Sequence, residues 1–175
     1  HFCFIQIPKT ASTSFMESCK KRGLTQLRPC FRHEGLLFIE QYIRNPDLPI
    51  YTIVRNPFSQ IHSWFFHQLR WKSITLDPNI SLVANFEKFC EKHHNNVHLR
   101  QCDYIESNKN LKVKFFKFEE GIDKLNDHIL ATHGIDLKLG ETEYNRNPVK
   151  ATGAGTDIKS FFANKKTVDI IVKAR

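Results

Sequence analysis

Ile7-Pro8-Lys9-Thr10-Ala11-Ser12-Thr13-Ser14 follows directly on the apolar positions Phe2, Phe4 and Ile5, and this passage from strand to turn to helix decides the fold. The apolar run has the character of a buried strand in an α/β sheet. Pro8 cannot donate to a ladder and ends it. Ser12, Thr13 and Ser14 suit the cap or first turn of a helix, expected over 14–22 and stopped by Gly23 behind Lys20, Lys21 and Arg22. A helix start leaves several amide N–H groups unpaired and attracts anions. Lys9 adds a full positive charge and Thr10, Ser12, Thr13 and Ser14 add neutral donors, so the turn can surround a phosphate or sulfate without a metal. A capped helix with a solvated lysine is the plainer alternative. Lys9-Thr10 also imitates the end of a nucleotide-kinase P-loop, but the Gly-x-x-x-x-Gly that curls such a loop is missing, since 4–8 reads Phe-Ile-Gln-Ile-Pro.

A second segment, 51–65, repeats the grammar of strand, charged turn and helix. Residues 50–54 are apolar and β-branched, and Pro57 suits a first helical turn. Arg55 therefore falls at the carboxyl end of a parallel strand, where open α/β sheets bind ligands. Ser63, eight residues on, lies about two helical turns along and can face the same ligand. A guanidinium fork with a hydroxyl makes a phosphate site. Arg55 paired with a carboxylate is the structural alternative.

Taken together, the two segments resemble the sulfotransferases that use 3′-phosphoadenosine 5′-phosphosulfate (PAPS). In that family a Pro-Lys-Thr-(Gly/Ala)-(Ser/Thr)-Thr loop holds the 5′-phosphosulfate, and an Arg-(Asp/Asn)-Pro turn with a serine eight residues on holds the 3′-phosphate. Pro8 to Phe15 looks most like the membrane-anchored carbohydrate enzymes, in particular the uronyl 2-O-sulfotransferases. The resemblance implies a P-loop-like three-layer sandwich, a central parallel sheet flanked by helices, forming one catalytic domain over 1–175 that is cut short at both ends. It implies a sulfotransferase with PAPS as donor, 3′-phosphoadenosine 5′-phosphate (PAP) as product and no metal. The nucleotide would be held by Lys9, Thr10, Ala11, Ser12, Thr13 and Ser14 at one phosphate and by Arg55 and Ser63 at the other. Lys150, in a loop expected over 145–159, is the candidate for a further contact to the 3′-phosphate.

Sulfuryl transfer needs a base for the acceptor hydroxyl, and His33 and Glu34 are the candidates. An imidazole has the better matched pKa near neutrality. His33 also stands 22 residues before Arg55, comparable to the catalytic histidine of the enzymes resembled. Glu34 remains open, since some polysaccharide sulfotransferases use a glutamate, and it can equally cap the helix that follows.

The 175 residues contain no linker, repeat or low-complexity tract. Net charge of +8 attracts polyanions, but the clusters 20–22, 70–72 and 165–166 are short and scattered, unlike a nucleic-acid module. A nucleotide kinase-like protein and a non-catalytic polyanion-binding domain are the competing functions. Further helices are expected over 34–44, 57–71, 82–94 and 121–132 and from near Asp157, with a strand over 112–118. Phe115, Phe116, Phe118, Phe161 and Phe162 read as core. His93, His94, His98, His128 and His133 read as surface residues; helical spacing could bring some of His93, His94, His98 and Cys102 onto one face, but there is no Cys-x-x-Cys pair and a helix is expected to end within 95–102, so solvated histidines are expected rather than a zinc site. Cys30, Cys90 and Cys102 are the cysteines open to disulfides. The acceptor is expected to be a carbohydrate, with no nucleic acid partner. Membrane contact is expected only through a missing N-terminal anchor, the location being the Golgi lumen for a carbohydrate enzyme and the cytoplasm otherwise.

Overall fold

The computed structural model describes residues 2–24, 33–96, 99–140 and 158–173. They divide into two compact units, one built from His1–Arg55 and Gln101–Tyr144, the other from Asn56–Arg100 and Asn145–Arg175.

The first unit is α/β. Its strands β1 (Cys3–Ile5), β2 (Ile50–Val54) and β3 (Val113–Lys117) form a parallel sheet in the order β1-β2-β3, with Cys3 opposite Ile50 and Ile50 opposite Val113. Alternation along the strands supplies two apolar faces. Tyr51 and Ile53 pack with Phe15 and Cys19 of α1 (Ser12–Lys21) and with Leu125 and Ile129 of α5 (Asp123–His133). On the opposite face Ile5 and Ile50 pack with Ile7, Tyr104 and Leu36 of the short helix α2 (Leu36–Ile39). The end of α1 is closed by Gly23 at φ 65°, with Leu24 N–H donating to Cys19 and Gly23 N–H to Lys20, a Schellman arrangement.

The second unit is helical among its described residues: α3 (Pro57–Arg70), α4 (Leu82–His93), a 3-10 turn (Ile158–Phe162) and α6 (Lys165–Lys173). Phe65, Phe86 and Phe161 are fully buried, their rings meeting edge to face around His62 and Phe66. Asn56 starts α3, its side chain accepting from Phe58 N–H at 2.9 Å and Ser59 N–H at 3.4 Å.

Several expectations need correction. The helix over 34–44 is cut to one turn of α2 and a 3-10 turn at Glu40–Tyr42, because the buried Glu40 carboxylate turns inward to accept from Ser107 Oγ and Asn108 N–H. The last helix begins at Lys165, where Asn164 caps it, and the residues before it form the 3-10 turn that buries Phe161. Phe115 is 49% exposed, because it lies on an edge strand of the described sheet. His128 and His133 pack around Tyr51 rather than lying free on the surface. Cys90 is a free thiol buried in the aromatic core, which pushes its pKa up to about 12, so it is closed to disulfide exchange.

Candidate functional site

The turn between β1 and α1 is built without glycine yet takes the left-handed conformation twice, at Lys9 (φ 63°) and Ala11 (φ 67°). For residues with a Cβ this costs about 1–2 kcal/mol each, and alternating backbone hand of this kind forms anion-binding concavities. Ala11 is the N-cap of α1, no side chain among the described residues caps the helix, and its first turn holds no acid. The orphan amides of that turn therefore carry the positive end of the helix dipole with nothing anionic to meet it in the turn itself. Thr10 is fully buried and its hydroxyl donates to the Ile7 carbonyl at 2.8 Å, so this residue shapes the turn. Ser12 and Ser14 are buried, whereas Thr13 and Lys9 are half-buried.

His33 comes to the same end of β1. Its Nδ1 lies 2.8 Å from the Gln6 carbonyl oxygen, three residues before Lys9. A carbonyl can only accept, so Nδ1 carries the proton and, in the neutral ring, Nε2 holds the lone pair a base requires. His33 itself is left-handed at φ 65°. Two residues later Gly35 passes close to the 3-10 turn Gln101–Tyr104: a Cβ on it would lie 3.0 Å from the Asp103 carbonyl oxygen. Glu34 takes a different position from His33. Its charge acts on Tyr104, whose phenol is pushed up to about 12, first by burial and then by Asp103 and Glu34.

Arg55 follows the last residue of β2 and reaches toward the same turn. Its Nη1 donates to the Lys9 carbonyl at 3.1 Å, and its guanidinium lies 4.2 Å from the centroid of the Phe118 ring. Burial pulls its pKa down and the nearby Glu119 carboxylate opposes that pull. Its backbone is gripped by Gln101, whose Oε1 accepts from Arg55 N–H at 2.8 Å and whose Nε2 donates to the Arg55 carbonyl at 2.6 Å. Gln101 and Phe118 are residues that sequence reasoning did not assign to the site. No local pattern points to Gln101, since the chain travels 46 residues between the two ends of these bonds.

Lys9, His33 and Arg55, drawn from three separate stretches of chain, therefore converge where β1 and β2 end. Ser63 belongs to the second unit, half-buried on α3 beside the buried His62. Lys150, Cys30 and His98 lie outside the described residues. Among those described, no group of three His, Cys, Asp or Glu side chains could hold a metal ion; His93 stacks against Phe89 and His94 Nδ1 lies 2.8 Å from the Glu91 carbonyl oxygen. Cys19, Cys90 and Cys102 are free thiols among the described residues.

No helix of the described residues is long and apolar enough to cross a membrane. Comparison of the chain with family models, curated proteins and solved structures finds no match.

Proposed function

We propose that the chain is the catalytic region of a PAPS-dependent sulfotransferase acting on a hydroxyl of a carbohydrate acceptor, and that its first unit belongs to a P-loop-like three-layer sandwich. The observation that carries this reading is the meeting of an uncapped, left-handed lysine turn, a histidine of defined tautomer and a half-buried arginine at one end of a parallel sheet. Each alone is ordinary. An anion seat, a general base and a second cation together are what transfer between a phosphorylated donor and a hydroxyl needs.

The residues fit the donor in chemical terms. The amides of 12–14 and the Lys9 ammonium would hold the 5′-phosphosulfate, and the Arg55 guanidinium would take the 3′-phosphate. When bound, PAPS supplies a sulfuryl group on a phosphate leaving group. His33 Nε2 takes the proton of the acceptor hydroxyl as its oxygen forms a bond to sulfur. Lys9 offsets the negative charge that gathers on the bridging oxygen as the bond from sulfur to the phosphate breaks. Arg55 anchors the far end of the nucleotide, so that remote binding energy serves orientation at sulfur. Glu34, for which no hydrogen bond at the end of β1 is shown among the described residues, is the weaker candidate for the base.

Calorimetric titration separates this function from its rivals. PAP binding without magnesium supports it; magnesium-dependent ATP binding supports a nucleotide kinase, and salt-sensitive polysaccharide binding with neither nucleotide supports a polyanion-binding domain. Absence of PAP binding and of sulfate transfer from labelled PAPS to any carbohydrate overturns it.

A further inference from the structure

We infer that Gln101 is a positioning residue for Arg55: its side-chain amide takes the place of a neighbouring strand and fixes the direction in which the arginine leaves the sheet. β2 pairs with β3 only as far as Val54 opposite Lys117. One residue further, the N–H and C=O of Arg55 meet the two ends of one glutamine amide, at 2.8 and 2.6 Å. A bidentate amide of this kind holds the peptide planes on both sides of the Arg55 Cα, and with them the Cα–Cβ bond.

The consequence falls on the guanidinium. A long arginine side chain carries about 2 kcal/mol of rotamer entropy, which a mobile strand end would add to rather than reduce. Here the residue is held at its backbone by Gln101, at its tip by the Lys9 carbonyl and on its flat face by Phe118. Arg55 is the last residue of the first unit before the chain departs into the second, and Gln101 is the first after its return. The clamp therefore closes the neck of that excursion, between two residues 46 positions apart, at the point where the site needs a rigid cation. Gln101 touches no reacting atom in this account; it acts through Arg55.

The inference rests on the PAPS reading for its affinity readout, and the test keeps the two apart. PAP is titrated without magnesium into the whole chain, wild type, Gln101→Met, Arg55→Ala and the double variant, alongside ¹⁵N-edited spectra of the arginine side-chain Nε–H groups. Losing two hydrogen bonds at a strand end should weaken PAP about tenfold in Gln101→Met and change it less than twofold in the Arg55→Ala background. Gln101→Asn, one methylene too short to reach both groups and uncharged, should weaken PAP in the same direction as Gln101→Met, and it carries the test if Gln101→Met loses its fold. An unchanged affinity in Gln101→Met, or the same loss with and without Arg55, overturns the inference. If the wild type binds no PAP, the nucleotide reading falls by itself and the spectra decide. A shifted or broadened Arg55 Nε–H signal in Gln101→Met upholds the positioning role, and an unchanged one overturns it.

Discussion

Lys9 and Ala11 are the two residues on which the site turns, one by its charge and both by their backbone. Lys9→Ala should abolish sulfate transfer while the circular dichroism and melting profile stay those of a folded protein; an active Lys9→Ala enzyme would falsify its catalytic role. Ala11, left-handed at φ 67°, carries a cost that glycine escapes. Ala11→Gly should therefore raise stability by up to about 1 kcal/mol, offset in part by the greater freedom of the unfolded chain. For a chain of this size that is about 2–4 °C in the melting temperature. A melting temperature lowered by several degrees would contradict the left-handed turn. That glycine could be absent was not legible beforehand: the missing Gly-x-x-x-x-Gly argues against a curled loop, yet Pro8, the buried Thr10 hydroxyl and the start of α1 curl it without one.

Strand β2 and helix α5 carry a pH-sensitive contact on the face of the sheet where α1 also packs. The Tyr51 hydroxyl lies 2.9 Å from His133 Nε2, and the ring of His128 stands edge-on to Tyr51. Lys114 Nζ, on β3, lies 3.2 Å from His128 Nδ1. Burial lowers the pKa of both histidines below the ordinary 6.5, aided at His128 by Lys114 and His133. A lowered pKa means that the unfolded chain binds the extra protons first, so this contribution is complete above pH 6.5 and is lost as pH falls through the folded values. Thermal melts should show stability dropping below pH 6.5, and His128→Gln with His133→Gln should flatten that slope; an equally steep slope in the double variant rules the pair out. These two histidines read as surface residues from their polar neighbours, because helical periodicity does not reveal which strand side chain comes to meet them. The bounds of β2 and α3, in contrast, follow from residues that act locally: the β-branched run at 50–54, the Asn56 cap and Pro57 in the first turn. The same local reading overextends at 34–44, where Glu40 finds partners 67 and 68 residues away.

Over the whole molecule the positive charge is unevenly divided. The segments that make up the second unit carry 12 Lys and Arg against five Asp and Glu, whereas those of the first carry 14 against 13. Most of the net charge of +8 thus lies outside the unit that bears the proposed reaction, and an acidic polysaccharide should depend on it. Its affinity, followed by titration, should fall about tenfold or more between 50 and 200 mM salt; a salt-independent affinity would remove the charge from acceptor binding. What the sequence determined by itself is the order of strand, turn and helix, the parallel sheet that this order demands, and the identity of Lys9, His33 and Arg55 as groups worth bringing together. These follow from preferences a residue shares with its near neighbours. Only the tertiary structure decided that His33 Nδ1 meets Gln6, and that the tip of Arg55 meets Lys9 and its backbone Gln101. Those pairings join residues 27 to 46 positions apart, and no local periodicity encodes them, because they exist only once the strands have taken their places beside one another.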